Sequence, residues 1–317
     1  MTMTRAFFCT DVHGSELCFR KFLGAGRFYK ADVLILGGDM TGKLIVSIIE
    51  ESDCAYVARY LGKERRAHNE AELRSLEKEI LDSGFYPYRT NPSELEELES
   101  NRAKVDELFS RLMLENVKRW INMAEESLRP TNVRCFVMPG NDDRLEIDQA
   151  FSDSQHVINP EGKVICLDQH HEMMSTGYSN ISPWKAPRDS TEEELGRRIE
   201  AMAPHVKDMA KCLFNFHCPP YNSRIDMAPK LDANLRPEVE GGRFRMIPVG
   251  SVAIRAAIEK YQPLMGLHGH IHESRGEQKI GRTLCINPGS EYSEGILRGA
   301  LINLDEKGVK SYLLTSG

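Results

Sequence analysis

Asp, His and Asn residues follow five apolar segments of the sequence at the points where those segments end. The segments read AFFCTDVHG, ADVLILGGDM, VRCFVMPGND, CLFNFHCPP and PLMGLHGHIH. The polar residues at their ends are Asp11, His13, Asp39, Asn141, His217, His270 and His272. Mn, Fe and Zn ions accept mixtures of imidazole and carboxylate ligands. Two such ions about 3.5–4 Å apart can hold the attacking and leaving oxygens of a phosphoryl displacement, and these residue types indicate that chemistry.

The elements that would position these residues are buried strands separated by helices. Each of the five segments is apolar and bounded by Gly, Pro or Asp, which predicts a buried strand. Helical patterns lie between them, for example over Ser15–Leu23 and Ser251–Tyr261. This alternation predicts an α/β layered fold, in which sites form where loops leave the carboxyl ends of the strands. The tail from Thr283, with LCINPGS, GALINL and VKSYLLT, predicts closing strands of a second sheet.

The bulk composition limits the partners of the protein. The chain has 317 residues, of which 41% are hydrophobic and 28% charged, and its formal net charge is −6. A mildly acidic chain gives no electrostatic reason to bind long nucleic acid, although metals could still hold a small anionic ester. The start of the sequence lacks an apolar stretch of signal-peptide length, and no run of 18 apolar residues occurs. We therefore expect no membrane association and a cytoplasmic location.

The cysteines support the same compartment. They are scattered without a CxxC pair, and several lie in apolar, strand-like runs where Cys behaves as a small hydrophobic residue. Reduced structural thiols of a cytoplasmic protein are the expectation. The eight are Cys9, Cys18, Cys54, Cys135, Cys166, Cys212, Cys218 and Cys285.

Two segments interrupt the alternation of strands and helices. Residues Lys63–Arg129 are rich in Glu, Arg, Lys and Leu, which predicts long amphipathic helices with a break at Gly84–Pro92. We expect a helical insertion at 63–129 within one domain that spans 1–317. The insertion is either a hairpin packed on the core or a lid or self-association surface that makes a homo-oligomer. Tyr221–Pro248 is loop-like and follows His217, so it forms a wall of the site or a surface excursion.

The order of these motifs resembles that of the calcineurin-like metallophosphoesterases, in particular their prokaryotic phosphodiesterase-like members. The family series is D-x-H, G-G-D, G-N-x-D, a strand-end H and G-H-x-H. The matching residues here are Asp11-Val12-His13, Gly37-Gly38-Asp39, Gly140-Asn141-Asp142-Asp143, His217 and Gly269-His270-Ile271-His272, with a similar tail segment at Asn287-Pro288-Gly289-Ser290. The resemblance implies a two-sheet α/β sandwich flanked by helices, and residues 63–129 lie outside it.

The resemblance also implies a binuclear metal site. The first ion would be held by Asp11, His13 and His272. The second ion would be held by Asn141, His217 and His270, and Asp39 would bridge both. A hydroxide between two divalent ions (Mn, Fe, Zn or Ni, with Mn favoured) would attack phosphorus in line. Because none of these ligands lies within 63–129, trimming that segment to a short loop should leave the metal site intact.

Asp142 departs from the family pattern. Many members carry a His there, which protonates the leaving oxygen, whereas an exposed Asp has a pKa of about 3.9 and is a poor acid at pH 7. Asp143 beside it would raise that pKa, and nearby metals would lower it. Asp142 and Asp143 are the candidate catalytic residues beyond the ligands. The family pattern does not require His268, which is either a supporting residue behind the site or a simple polar strand residue.

The function that these features imply is hydrolysis of a small or activated phosphodiester. A phosphomonoesterase or nucleotide pyrophosphatase is the closest alternative within the same class. A non-catalytic metal-binding scaffold, like the retromer subunit that resembles these enzymes, is the alternative of another class, and the missing His fits it. A nuclease is disfavoured because the sequence has no basic run interleaved with aromatic residues.

Overall fold

The computed structural model describes residues 3–52, 55–152 and 154–317. The α-helices are α1 (Glu16–Phe28), α2 (Glu70–Asp82), α3 (Pro92–Ser100), α4 (Arg102–Leu128), α5 (Glu192–Met202) and α6 (Val252–Tyr261). Short 3-10 helices span Leu145–Phe151, Ala203–His205, Met209–Lys211 and Tyr292–Glu294. The strands are β1 (Thr4–Cys9), β2 (Val33–Gly37), β3 (Ile45–Ser52), β4 (Ala55–Tyr60), β5 (Lys63–Ala67), β6 (Tyr86–Thr90), β7 (Arg134–Met138), β8 (Val157–Ile158), β9 (Val164–Cys166), β10 (Glu172–Thr176), β11 (Ser179–Asn180), β12 (Asp189–Ser190), β13 (Cys212–Phe216), β14 (Met227–Pro229), β15 (Val239–Glu240), β16 (Arg243–Phe244), β17 (Met246–Pro248), β18 (Met265–Leu267), β19 (Gly276–Ile280), β20 (Thr283–Asn287), β21 (Arg298–Asp305) and β22 (Gly308–Ser316).

Two six-stranded sheets form the body of the fold. The first has the order β22-β21-β1-β2-β7-β8, and the second has the order β19-β20-β18-β13-β10-β9. Within the first sheet β1, β2 and β7 run parallel, and within the second β10, β13, β18 and β20 run parallel. The carboxyl ends of parallel strands therefore meet at one edge of each sheet, which is where the polar residues of the five segments lie.

The two sheets pack face to face and helices cover their outer faces. The layer between the sheets buries Phe8 and Ile35 of the first sheet with Leu213 and Leu267 of the second. The outer face of the first sheet packs on α1 and α4, and that of the second packs on α5 and α6. The predicted two-sheet α/β sandwich flanked by helices is confirmed. The predicted helices match α1 and α6, which begin after the capping residues Ser15 and Ser251.

The segment 63–129 is only partly helical, which corrects the prediction of a helical insertion. β5 and β6 lie in it, and they join β3 and β4 in a separate sheet of order β5-β4-β3-β6. β5 has the sequence KERRA, in which only Ala67 is buried, because the strand lies at the edge of this sheet and its charged side chains face water. A charged sequence of this kind resembles a solvated helix. The inserted segment that leaves the α/β body therefore starts near Ile45, at β3, and not at Lys63.

Helix α4 belongs to the main core and is not part of a removable insertion. Trp120 is fully buried and stacks on Phe19 of α1 with ring centroids 4.2 Å apart. Met113, Val117 and Ala124 of the same helix are buried in the cluster that covers the outer face of the first sheet. Trimming 63–129 would remove one wall of this core, so the expectation that the metal site survives the trim stays a prediction and requires that the remaining fold persists.

The end of the chain closes the first sheet as well as the second. β20 pairs with β18 in the second sheet, as predicted. β21, however, pairs antiparallel with β1, and β22 pairs with β21, so the last two strands extend the first sheet. The alternating pattern of these strands marks a half-buried sheet but carries no information about which sheet they join.

The cysteines that the structure describes are free thiols, and Cys54 lies outside the described residues. All of them except Cys166 are buried, in agreement with reduced structural thiols. Among the described helices, we find none with both the length and the apolar character that a membrane span requires.

Candidate metal centre

The loops that follow β1, β2, β13 and β18 are hydrogen-bonded to one another where the two sheets meet. The amide of Asp11 donates to the carbonyl of Gly38 at 3.0 Å, and the amide of His13 donates to the carbonyl of Asp39 at 2.9 Å. The amide of His270, from the second sheet, donates to the carboxylate of Asp11 at 3.1 Å. These bonds fix residues of both sheets in a single cluster.

Asp11, His13 and His272 form a first group of donor atoms. Each offers one ligand atom, and these atoms lie within 4.8 Å of one another. The Nε2 atoms of His13 and His272 are 3.0 Å apart, and Nε2 of His272 is 3.4 Å from Oδ1 of Asp11. Ligands about 2.0–2.2 Å from one ion, at angles between 90 and 110°, would be roughly 3.0–3.6 Å apart. Two of the three donor distances fit a divalent cation, and the third, between Nε2 of His13 and Oδ1 of Asp11, is slightly longer at 3.9 Å.

Asp39, His217 and His270 form a second group, whose donor atoms also lie within 4.8 Å of one another. Asp39 lies between the two groups, because its Oδ2 atom is 3.4 Å from Nε2 of His217 and 3.6 Å from Nε2 of His13. Asp142 can also join His13 and Asp39 in a third overlapping group. Asp39 is thus within reach of both groups, and Oδ1 of Asp11 is also 3.8 Å from Nε2 of His217.

The tautomer of His217 leaves one nitrogen facing the carboxylates. Its Nδ1 atom lies 3.0 Å from the carbonyl of Gly37 and donates to it, as metal-binding imidazoles commonly do. Its buried Nε2 atom has no hydrogen-bond partner in the described part of the chain. Although burial opposes protonation, Asp39 and Asp11 raise the pKa of His217 to about 10. The two carboxylates therefore attract a cation at this nitrogen, which fits a metal ion.

The other three imidazoles of the donor groups differ in pKa. For His272 burial is outweighed by Asp11, which raises its pKa. Burial lowers the pKa of His13 to about 3 and that of His270 to about 4, so both are neutral at pH 7. Metal ions bind the neutral imidazole, so these two side chains already have the protonation state that binding requires.

Asn141 presents its amide oxygen and is held by a residue that the sequence did not point to. Its buried Oδ1 atom is without a hydrogen-bond partner among the described residues. Its Nδ2 atom lies 3.4 Å from Oδ1 of Asp189 and 3.2 Å from Oδ1 of Asp142, both of which accept. This orientation leaves the oxygen free to bind a cation. Asp189 is far along the chain, and no sequence pattern links it to Asn141.

Four of the predicted site residues have left-handed backbone conformations. The φ angles are 55° at Asp11, 39° at His13, 49° at Asp39 and 65° at His270. Residues with a Cβ atom pay about 1–2 kcal/mol for this conformation, somewhat less for Asp. Such strain is found where a fold over-determines the backbone, and here it turns the side chains towards one another.

Two glycines of the motifs allow the loops to approach closely. A Cβ atom at Gly38, where φ is 126°, would overlap the imidazole of His217. A Cβ atom at Gly269 would overlap the carboxylate of Asp11. Any side chain at either position would displace a residue of the donor groups.

Asp143, a catalytic candidate from the sequence, is placed where it holds two loops of the site together. Its side chain is fully buried, and its carboxylate accepts hydrogen bonds from the amides of Met40, Thr41 and Gly140 and from the hydroxyl of Thr41. These bonds tie the loop that carries Asp39 to the loop that carries Asn141. A carboxylate so enclosed has no surface for a substrate.

Asp142 is paired with Lys43, a second residue that the sequence reasoning missed. Nζ of Lys43 lies 2.6 Å from Oδ2 of Asp142, and both side chains line the same cavity. Burial raises the pKa of Asp142 to about 6, with Asp39 acting in the same direction and Lys43 opposing the shift. The carboxylate is therefore mostly ionised at pH 7, as expected from the sequence, but it is partly buried rather than exposed.

Residues behind the donor groups hold their loops in place. His268 is buried, and its Nδ1 atom lies 2.8 Å from the carbonyl of Phe216, next to His217, so it is a supporting residue. The side-chain amide of Asn287 donates to the carbonyl of Ile271 at 2.9 Å, within the loop of His270 and His272. The tail segment that resembles the family thus supports the cluster.

A cavity of about 1110 Å³ opens beside the two donor groups. Asp39, Asn141, His270 and His272 form its floor on the donor side. The segment 221–248, which the sequence left as either a wall or a surface excursion, contributes one side. The lining residues from that segment are Ala228, Pro229, Lys230, Leu231, Leu235, Pro237 and Ile247. The segment is therefore a wall of the site.

Comparison with known proteins identifies related folds, but it assigns the chain to no family. No family model matches the chain. An uncharacterized protein of Methanocaldococcus jannaschii, MJ1162, is 31% identical over 158 residues, which are 49% of this chain and 64% of that protein. The chain thus matches less than two thirds of this relative.

Solved structures share the fold over the whole chain. One crystal structure covers 99% of this chain and 99% of its own at a TM-score of 0.59 and 15% identity. The crystal structure of TT1561 of Thermus thermophilus covers 100% of this chain and 99% of its own at a TM-score of 0.52 and 13% identity. At these identities the similarity is one of fold alone.

Proposed function

We propose that this protein is a divalent-metal-dependent phosphoesterase that prefers small or activated phosphodiesters. The observation that carries this proposal is the convergence of two imidazole and carboxylate groups, which share Asp39, at the edge of a large cavity. Mixed nitrogen and oxygen donors suit Mn, Fe, Zn or Ni, and we favour Mn. The proposed ligands are Asp11, His13 and His272 for one ion, Asn141, His217 and His270 for the other, and Asp39 for both.

The chemistry follows from the charges around the cavity. Two bound divalent ions would lower the pKa of a coordinated water and offset charge on the phosphoryl oxygens. Lys43 would attract the anionic ester and shield it from the carboxylate of Asp142. Bound divalent ions would lower the pKa of Asp142 from its value of about 6, so its carboxylate would be ionised and a poor acid for the leaving oxygen. Esters with good leaving groups would then react fastest. The free thiols support the further proposal that the protein works in a reducing compartment such as the cytoplasm.

A screen of metals against substrates tests the proposed function. Mn, Fe, Zn, Ni and Mg would each be tried with activated diesters, monoesters and cyclic nucleotides. We expect hydrolysis of activated diesters with at least one transition metal. Metal binding without turnover of any ester would instead favour the non-catalytic scaffold, and a preference for monoesters would favour the phosphomonoesterase.

Replacing Asp142 with His should help poor leaving groups. The imidazole has an unperturbed pKa of about 6.5 and supplies the missing acid, for which we expect a gain on the order of 10²-fold, the lower end of general acid catalysis. Rates for a series of aryl methyl phosphates with different phenols measure the dependence on the leaving group. Asp142→Asn, which removes the charge without adding an acid, is the matched control. A uniform loss of rate in Asp142→His would contradict the idea.

Asp189→Asn should weaken metal binding. Asp189 orients the amide of Asn141, and loss of such an outer partner typically costs 10–100-fold in metal affinity. Titration of the metal-free protein with Mn²⁺ measures the effect. Asp168→Asn is the control, because Asp168 accepts bonds from the amides of His170 and His171 and does not line the cavity. Equal affinities in the two variants would show that Asp189 does not act on the site.

A further inference from the structure

The loop 181–187 lies on the wall of the cavity and exposes apolar side chains beside the donor groups. Trp184 is 68% exposed and Ile181 is 61% exposed, and both line the cavity. Leu235 on the facing segment lines it as well and is 49% exposed. Large apolar side chains grouped around a concave site commonly mark a binding surface.

Hydrogen bonds hold the backbone of the loop, so Trp184 is attached at a defined position on the wall. Oδ2 of Asp189 accepts hydrogen bonds from the amide of Ser182 at 2.8 Å, from its hydroxyl at 2.7 Å and from the amide of Ala186 at 2.9 Å. Lys185 takes a left-handed conformation with φ of 52°, and its amide closes a turn onto the carbonyl of Ser182. These contacts leave the indole outside the turn.

The same carboxylate connects this loop to the donor groups. While Oδ2 of Asp189 holds the loop, its Oδ1 atom is 3.4 Å from the amide nitrogen of Asn141. The backbone that carries Trp184 and the side chain of Asn141 are thus held by one carboxylate. A ligand whose phosphate lies at the donor groups would therefore have Trp184 on the wall of the same cavity.

Bound metal ions would make the cavity suit an anionic ligand with a second, neutral end. Three lysines line the cavity and three acidic residues balance them, so a bound pair of divalent ions would supply the excess positive charge on the donor side. The lysines are Lys43, Lys185 and Lys230, and the acidic residues are Asp39, Asp142 and Glu273. The volume of about 1110 Å³ is far larger than a phosphate group needs. Room is therefore left for a substantial group attached to the phosphate.

We infer that the substrate carries a planar heteroaromatic group, with the chemistry of a nucleobase, which stacks on Trp184 while its phosphate lies at the donor groups. This inference rests on the proposed function and names the substrate class for it. An exposed indole favours a planar partner, because stacking covers one face of each ring and leaves the polar ring edges in water. A purely aliphatic chain would gain most from an enclosed cavity.

Ligand binding to the full-length protein tests the inference without relying on turnover. The chain has two tryptophans, Trp120 and Trp184, and Trp120 is fully buried. Adenosine monophosphate should quench the fluorescence of Trp184 and bind about 5- to 150-fold more tightly than ribose 5-phosphate, which lacks the base (about 1–3 kcal/mol). Trp184→Ala should remove this difference, and Trp184→Phe should restore part of it.

Phe28→Ala is the matched control, because Phe28 is an aromatic residue of α1 that is 78% exposed and does not line the cavity. It should leave the preference for the nucleotide unchanged. Equal affinities of the two phosphates for the wild-type protein would overturn the inference. Tighter binding of hexyl phosphate than of adenosine monophosphate would overturn it in favour of an aliphatic group.

The proposed function and the inference about the substrate can fail independently of each other. If an activated methyl diester is hydrolysed but Trp184→Ala does not change nucleotide binding, the proposed phosphoesterase function would stand. The inference of an aromatic substrate would then be wrong. If nucleotide binding quenches Trp184 but no ester is hydrolysed with any metal, the inferred ligand class would stand and the proposed phosphoesterase function would be wrong.

Discussion

The Asp39→Asn variant is expected to bind neither metal ion tightly and to show no hydrolysis of activated diesters above background. Oδ2 of Asp39 is within 3.6 Å of donor nitrogens in both groups, so under the proposed assignment it would contribute to both ions. The loss should exceed the 10–100-fold that removal of an outer-shell partner costs. Asparagine keeps the volume of the side chain, so the fold should persist. Metal content by mass spectrometry and turnover of an activated diester measure the two effects.

Asp305→Asn is a suitable control for this variant. Asp305 ends β21, accepts a bond from the amide of Lys307 and does not line the cavity. Its replacement should leave metal content and turnover unchanged. If Asp39→Asn kept two ions per chain, Asp39 would not bridge them, and the bridging assignment would have to be abandoned.

The second large effect concerns the core rather than the site. Trp120→Ala should lower the free energy of unfolding by about 3–5 kcal/mol, because it empties a fully buried position that stacks on Phe19. A change of this size is a large share of the roughly 5–15 kcal/mol that stabilises a typical domain. Urea unfolding followed by circular dichroism measures it.

The chain contains its own control for that experiment. Trp184→Ala removes the same side chain from an exposed position and should change the free energy of unfolding by about 0.5 kcal/mol or less. Equal destabilisation by the two variants would mean that α4 is not part of the core. The comparison also decides whether α4 can be treated as an insertion.

The parts of the fold that the sequence predicted are those that local patterns encode. Apolar runs closed by Gly, Pro or Asp identified β1, β2, β7, β13 and β18, because a buried strand and its terminating turn lie within about ten residues. The residues at their ends could be named for the same reason. Parallel pairing then brings these ends together without further information.

The errors come from contacts between distant parts of the chain. The pairing of β21 with β1 joins residues at opposite ends of the sequence, and the hydrophobic pattern of β21 fits either sheet. Asp189 and Lys43 act through single contacts to Asn141 and Asp142 from other loops. β5 was missed because an edge strand with charged side chains has the composition of an exposed helix.

Left-handed conformations at four residues lower the stability of the fold but supply side chains that can bind an ion. These residues are Asp11, His13, Asp39 and His270. Glycine would adopt these angles without cost, yet glycine offers no side chain to bind an ion. The summed strain, on the order of 4 kcal/mol because Asp costs less than His, is a large share of the net stability of a whole domain. At these four positions the fold holds residues that the backbone disfavours, so engineering for thermal stability alone would work against the donor groups.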